Sequence, residues 1–306
     1  MSVNGYSLAP SSWWRRLRRL HDLPWAILFL APSFIGFAVF TLIPVVASLA
    51  LSFVDWNLIH SPKYVGLANY REALNDPIFW KVMRNTAYYT AGSVPLGIAL
   101  SFGLAVLLNR KLRGVEFLRT LYFLPVVSST VAVSLVWKWL YEPNFGLINY
   151  ALSLVGISPI GWLTTTTWAM PAVIFLSVWK GLGQSMVIFL AGLQGIPRQL
   201  YEAAEIDGAS RWRQFWDITR PLLSPTTFFV LVISIIGSMQ VFSQVFVMTN
   251  GGPANSTSTI VYYIYQKGFN EFRMGYASTL SWLLFAVIFA FTLIQLRLQR
   301  NWVSYD

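Results

Sequence analysis

The stretch WAMPAVIFLSVWKGLGQSMVIFLAGL, residues 168–193, decides the fold class of this chain. Lys180 is its single charged residue, and the rest is dominated by aliphatic and aromatic side chains. A helix of about 20 apolar residues crosses the roughly 30 Å hydrocarbon core of a bilayer. The stretch is therefore predicted to be a membrane-spanning helix.

Five further runs have the same character. They cover residues 25–53, 86–108, 118–140, 222–248 and 276–296. The chain has 306 residues, of which 56% are hydrophobic and 11% charged, whereas soluble domains carry about 25% charged residues. We therefore predict an all-α integral membrane protein with six transmembrane helices. The first run is too long for a signal peptide and is read as a retained helix.

The basic residues predict how the chain is oriented, because loops rich in Lys and Arg stay in the cytoplasm. One side would carry Arg15, Arg16, Arg18, Arg19, Arg110, Lys111, Arg113, Arg119, Arg198, Arg211, Arg213, Arg220, Arg297 and Arg300. Residues 1–24 would then be a basic cytoplasmic segment, and residues 25–306 a single multi-pass membrane domain with both termini cytoplasmic.

The composition also limits the chemistry that the chain can perform. It has no Cys and only two histidines, and the predicted spans contain no acidic residue and no His. A membrane-embedded enzyme needs acid, base or metal-binding groups at one depth, so an enzyme and a metal site are both disfavoured. Topology accounts for the net charge of +10, so no nucleic-acid partner is needed.

The predicted outer loops contain short helices. Asp76 followed by Pro77 is a typical helix start, and we expect a short interfacial helix through Phe79, Trp80 and Met83. Residues 141–167 are rich in Gly and Pro and should form turns around a short helix near residues 147–154. A third outer loop contains GGP at 251–253 and a polar run at 255–259.

The predicted cytoplasmic loop, residues 194–221, carries the most specific pattern. Pro197 can begin a helix and Gly208 can end it in the left-handed conformation. Ser210 can cap a second helix that stops at Pro221. From the residues alone, this is either an ordinary interfacial loop or a knob that fits a groove on a cytoplasmic partner.

The loop resembles the EAA loop of ABC importer permeases. That pattern is Glu-Ala-Ala, three residues, Gly, nine residues, then Ile-x-Leu-Pro. Here Arg220 stands in place of the Leu. The resemblance assigns ATPase coupling to Glu202, Ala203, Ala204, Asp207, Gly208, Ile218 and Pro221.

The resemblance covers nearly the whole chain. YVGLANY (64–70), DPIFW (76–80), RTLYFLP (119–125), GGP (251–253) and VSYD (303–306) are similar to carbohydrate-importer permeases of the maltose and glycerol-phosphate type. Membership implies a location in a prokaryotic plasma (inner) membrane. It also implies a second, similar permease, two ATPase subunits and an extracytoplasmic solute-binding protein. The chain has no phosphate-binding loop, so the partner ATPases would bind ATP and Mg and this chain would bind no cofactor.

Polar residues within the spans are candidates for the solute path, since they are costly against lipid. The tentative set is Lys180, Gly181, Gln184, Ser234, Gly237, Ser238, Gln240, Val241 and Gln244. Gln240 and Gln244 are expected one helical turn apart. Neutral Ser and Gln suit sugar hydroxyls, although they could equally bridge helices.

Lys180 leaves two interpretations open. It could serve structure, by neutralising a carboxylate of the second permease or reaching a hydrated path, or it could contact an anionic solute such as glycerol phosphate or a glycerophosphodiester. An ATP-independent carrier or channel could share the six-span topology, but neither explains the EAA spacing. The sequence does not identify the solute.

Overall fold

The computed structural model describes residues 23–110, 113–300 and 303. The arginines at positions 15, 16, 18 and 19, Lys111 and residues 304–306 lie outside it. The chain divides into two compact units, Met1–Leu51 and Ser52–Asp306.

The described part of the first unit is helical throughout. Helix α1 (Leu23–Phe37), a π-helical turn (Ala38–Leu42) and α2 (Ile43–Leu51) follow one another without a break. Most of their side chains are apolar and exposed, which suits a helix surrounded by lipid or by another subunit. This segment matches the first predicted span.

The second unit is helical apart from a two-stranded antiparallel ribbon. Its elements are β1 (Val54–Asp55), β2 (Lys63–Tyr64), α3 (Ala68–Asn75), α4 (Pro77–Leu108), α5 (Val115–Val127), α6 (Thr130–Leu140), α7 (Leu147–Ser153), α8 (Ala169–Gly195), α9 (Arg198–Ile206), α10 (Arg211–Gln214), a π turn (Phe215–Thr219), α11 (Arg220–Leu222), α12 (Ser224–Met239), α13 (Ser243–Met248), α14 (Ile260–Tyr265), a second π turn (Gln266–Asn270) and α15 (Met274–Gln299).

The predicted class is confirmed. Among the described residues, four helices are long and apolar enough to cross a membrane: Trp25–Leu51, α4, α8 and α15. Two bent pairs bring the number to six if each is one span. Helix α8 is the centre of the second unit and packs along α4 and α5, while α12 packs against α4.

A close approach between α5 and α8 depends on Gly183. A Cβ added at this position would lie 2.3 Å from the carbonyl oxygen of Tyr122 and 2.9 Å from the Cα of Phe123. Both atoms belong to the α5 backbone, so no side-chain movement could relieve the clash. The two helices can therefore pack at this distance only because residue 183 lacks a side chain.

The second predicted span is longer than expected. Asp76 caps the helix as predicted, since its carboxylate accepts a hydrogen bond from the Ile78 amide at 2.8 Å. The expected separate interfacial helix is wrong, because the helix that begins at Pro77 continues without interruption to Leu108. Phe79 and Val82 are buried in one core cluster with residues of α14 and α15, and this packing extends the helix outward.

The third predicted span is not one straight helix. Helices α5 and α6 meet at Ser128 and Ser129 with an angle of 99°. Pro125 lies in the last turn of α5 and lacks the amide that a continuous helix requires. The fifth predicted span is also interrupted, because α12 ends at Met239 and α13 begins only at Ser243.

The loops predicted to lie on the outer side are more ordered than expected. The short helix near residues 147–154 is present as α7, but the loop after residue 248 also contains α14, which the sequence reading missed. Buried Asn149 organises the first of these loops: its amide nitrogen donates to the carbonyls of Pro143 and Ile160, and its oxygen accepts from the Ile160 amide and the Trp162 indole.

Asp76 connects the start of α4 to α14 and α15. Its carboxylate accepts hydrogen bonds from the hydroxyls of Tyr263 and Tyr276, in addition to the Ile78 amide. Burial alone would raise the pKa of Asp76, but these hydrogen bonds outweigh burial and hold its pKa below the ordinary value. The ionised carboxylate therefore stabilises the junction of three helices.

Candidate functional site

A cavity of about 490 Å³ lies between α4, α8 and α12. Eight of the nine residues predicted for the solute path line it: Gly181, Gln184, Ser234, Gly237, Ser238, Gln240, Val241 and Gln244. The structure thus brings two predicted spans together around one space.

The cavity is polar but uncharged. None of the described residues that line it is Asp, Glu, Lys, Arg or His. Hydroxyl and amide groups contribute most of the polar surface, and Phe242 adds an aromatic ring. Such a lining can donate and accept hydrogen bonds without offering an ionic partner.

Helix α4 supplies a third wall that the sequence reading did not include. Ser93, Gly97 and Ser101 line the cavity at intervals of four residues. The Ser93 hydroxyl is buried and has no hydrogen-bond partner among the described residues. The regular spacing of small residues along the second span was the signal that could have revealed this wall.

Residues at the break between α12 and α13 line part of the cavity. Because residues 240–242 are not helical, Gln240 and Gln244 are not on one continuous helix, and the expected one-turn relationship is wrong. The Thr259 hydroxyl donates to the carbonyl of Val241 at 3.0 Å. This contact satisfies a backbone group that the interrupted helix leaves open, yet both glutamines still line the cavity.

Lys180 does not line this cavity. Its ammonium group donates to the carbonyl oxygens of Pro125, Ser128 and Val126 at 3.0, 3.1 and 3.4 Å. These carbonyls belong to the bend between α5 and α6, where a helix end leaves acceptors without partners. Lys180 therefore has backbone partners within its own chain, which the sequence reading did not consider.

The loop at residues 194–221 has the predicted helix–glycine–helix form. Helix α9 ends before Gly208, whose φ is +74°, and the Ala209 amide donates to the Ala204 carbonyl at 2.8 Å. The Ser210 hydroxyl accepts from the Arg213 amide, which caps α10. The following helical segment continues to Leu222, one residue beyond the predicted stop at Pro221.

The seven residues assigned to coupling fall into two groups. Glu202, Ala203, Asp207 and Gly208 are exposed, while Ala204, Ile218 and Pro221 are partly buried. Ile218 packs against the core cluster formed by α4, α8 and α12. The Tyr201 hydroxyl is 2.9 Å from the Thr219 hydroxyl. The exposed group is thus available to a partner. Ile218 attaches the segment after α10 to the membrane helices, and the contact between Tyr201 and Thr219 links α9 to that segment.

The last residue of α9 is apolar and exposed. Ile206 is 87% exposed beside the acidic residues. Glu202 forms an ion pair with Arg198 at 2.9 Å, and both side chains are largely exposed. Such an exposed pair contributes little to stability, so these residues are free to serve a contact with another protein.

The chain is similar to known transport permeases over most of its length. The sequence profile described as "Binding-protein-dependent transport system inner membrane component" matches residues 93–303. A probable ABC transporter permease, YesP of Bacillus subtilis, is 39% identical over 91% of each chain. The lactose transport system permease LacF of Rhizobium radiobacter is 38% identical over 93% of this chain and 97% of that protein.

The fold has a solved counterpart. A chain of a bacterial alginate ABC transporter, solved in complex with an alginate pentasaccharide-bound periplasmic protein, superposes with a TM-score of 0.82 and 25% identity, covering 94% of this chain and 97% of the other. These similarities confirm the resemblance to carbohydrate-uptake permeases and make the chain a transporter subunit rather than an enzyme. It belongs to the family of multi-pass inner membrane components of binding-protein-dependent ABC transport systems.

Proposed function

We propose that this chain forms half of the translocation path of an ATP-driven importer for a neutral sugar. The observation that carries the proposal is the uncharged cavity between α4, α8 and α12, lined by hydroxyl and amide groups. A second, similar permease subunit would supply the other half. Because the lining can both donate and accept hydrogen bonds, it suits a solute rich in hydroxyl groups.

The lining favours a neutral solute over an anionic one. The relative LacF is named for lactose transport, and Phe242 could cover the apolar face of a sugar ring. The alternative solutes, glycerol phosphate and glycerophosphodiesters, would need a cation in the path. Lys180 was the candidate for that role, but the carbonyls of the α5–α6 bend surround its ammonium group.

Helix α9 would couple the path to ATP hydrolysis. Two partner ATPase subunits, which would bind ATP and Mg, would receive the exposed face of α9 and that of the second permease. Closure of the ATPases would move α9. The contact of Tyr201 with Thr219, and the packing of Tyr201 and Ile218 against the core cluster, would carry this movement to the membrane helices as rigid-body rocking.

The orientation follows from this arrangement. With α9 in the cytoplasm, both termini would also be cytoplasmic, and the loops that contain α3, α7 and α14 would face the extracytoplasmic binding protein that delivers the solute. The basic residues are distributed as this orientation requires.

Solute-stimulated ATP hydrolysis by the reconstituted complex tests the solute class. We expect stimulation by neutral sugars together with the cognate binding protein, and none by glycerol phosphate or glycerophosphodiesters. Gln184→Leu should reduce sugar uptake, because Gln184 lines the cavity. Gln295→Leu is the matched control: Gln295 lies in α15, is not among the lining residues, and its buried amide has no partner among the described residues.

The outcomes separate the alternatives. Stimulation by phosphorylated solutes alone would contradict the neutral-sugar proposal. Equal uptake by Gln184→Leu and the control would contradict the assignment of the cavity. Solute uptake that needs no ATPase would indicate a carrier or channel instead.

Copurification with the ATPase tests the coupling helix. We expect Glu202→Lys to reduce ATPase assembly and ATP-coupled uptake. Asp217→Lys is the matched control, since Asp217 is also an exposed carboxylate paired with an arginine four residues earlier. Intact assembly and uptake in Glu202→Lys would contradict the docking role.

A further inference from the structure

A second cavity, of about 430 Å³, lies beneath the membrane helices beside the coupling loop. Its walls come from the end of α4, the end of α8, helix α9 and the segment that begins with α10. The lining residues are Val106, Asn109, Arg110, Leu193, Tyr201, Arg211, Gln214, Phe215 and Thr219. None of these residues belongs to the solute cavity described above.

The charge of this cavity is positive. Arg110 and Arg211 line it, and no acidic residue does. Among the described residues neither arginine forms an ion pair, whereas Arg198, Arg213 and Arg273 each do. The two guanidinium groups therefore hold positive charge that the described part of the chain does not neutralise.

The backbone near the cavity offsets only part of this charge. Helix α4 ends beside it, and a helix C-terminus carries a partial negative charge. The guanidinium of Arg119 donates to the carbonyl of Leu108 at 2.7 Å, which satisfies one of the terminal acceptors. The remaining lining offers Asn109, Gln214 and Tyr201 as further hydrogen-bonding groups.

The segment from Trp212 to Arg220, beside the cavity, has side chains typical of a membrane interface. Trp212 is 70% exposed and Trp216 is 41% exposed, and the Arg220 guanidinium lies 5.0 Å above the Trp216 ring. Trp side chains are enriched at headgroup depth. Phe215 packs against Trp212 and also lines the cavity, so the exposed tryptophans and the cavity share one aromatic cluster.

From these observations we propose that the cavity binds the headgroup of an anionic phospholipid, with Arg110 and Arg211 contacting its phosphate. Basic cavities between membrane helices are typical headgroup sites on the cytoplasmic side, which is where the proposed orientation places this one. The apolar residues Val106, Leu193 and Phe215 would contact the upper part of the acyl chains. A bound lipid would then connect α4 and α8 to the coupling segment.

Native mass spectrometry of the full-length chain tests this proposal without any transport measurement. Phosphatidylglycerol and phosphatidylcholine with identical acyl chains are added to the detergent-purified protein, and the dissociation constant of each is measured. We expect tighter binding of phosphatidylglycerol. Arg110→Gln or Arg211→Gln should each weaken it about fivefold, and the double variant about 25-fold.

Two further variants make the result specific. Arg213→Gln removes the same charge two residues after Arg211, but Arg213 does not line the cavity and is paired with Asp217, so the lipid preference should remain. The double variant Arg110→Lys and Arg211→Lys keeps the charge and should retain most of the preference, which guards against a loss caused by misfolding.

Three outcomes would overturn the proposal. These are equal affinity of the unmodified chain for the two lipids, an equal lipid preference in the double Gln variant and in Arg213→Gln, and loss of preference in the double Lys variant. Displacement of phosphatidylglycerol by millimolar glycerol phosphate would assign the site to a free phosphate ester instead of a lipid.

Discussion

Replacing Lys180 by Met tests whether this cation stabilises the bend between α5 and α6. The ammonium group donates to three backbone carbonyls, and two of these contacts are 3.0 and 3.1 Å long. A hydrogen bond to a charged group is worth about 1.5–3 kcal/mol. Met keeps most of the apolar stem but leaves the carbonyls without a donor. Because Lys180 is partly exposed, we expect a loss of about 2 kcal/mol rather than the sum of all contacts.

Thermal unfolding of the full-length chain in nanodiscs measures this loss. A change of about 2 kcal/mol corresponds to a decrease in the apparent Tm of roughly 5 °C for a chain of this size. Lys138→Met is the matched control, because the ammonium group of Lys138 has one long contact of 3.5 Å to the Val247 carbonyl. Its apparent Tm should change by less than about 1 °C.

The same variant distinguishes the structural role from a role in solute recognition. We expect Lys180→Met to leave the order of preference among solutes unchanged in the reconstituted transporter, since Lys180 does not line the solute cavity. An unchanged Tm together with a selective loss of anionic solute uptake would refute the reasoning.

Three other variants have expected outcomes. Gly183→Ala should lower the apparent Tm by several degrees because the new Cβ would clash with the α5 backbone, whereas Gly181→Ala, whose Cβ would meet no atom within 4 Å, should not. Asn149→Ala removes four hydrogen bonds of a buried amide and should speed proteolytic cleavage of its loop severalfold; unchanged cleavage would contradict that role. Asp76→Asn should cost about 1 kcal/mol at neutral pH, because the hydroxyls of Tyr263 and Tyr276 would then donate to a neutral acceptor instead of a charged one. The lowered pKa of Asp76 means that its stabilisation is present above about 3.8 and is lost as the pH falls through the lower folded pKa, so denaturant unfolding of the variant should lack this acid-dependent component.

The sequence predicted the elements whose cause is local. Length and hydropathy identified α4, α8 and α15, because any apolar helix of sufficient length is stable across a bilayer. The helix break at Gly208 and the cap at Ser210 were also predicted, since each depends on the conformational preference or hydrogen bonding of one residue. The spacing of the EAA loop identified the family, which the relatives then confirmed.

Only the tertiary structure decided where the third and fifth predicted spans break and that α4 forms a third wall of the cavity. The bend after Val127 is stabilised by Lys180, 52 residues beyond Ser128. At the break after Met239, the Thr259 hydroxyl donates a hydrogen bond to the Val241 carbonyl. The hydropathy of one stretch of sequence does not indicate hydrogen-bond donors that come from a distant stretch. The third wall of the cavity between α4, α8 and α12 arises for the same reason: Ser93 and Ser101 line it only because α4 packs beside α8, which depends on contacts between side chains distant in the sequence.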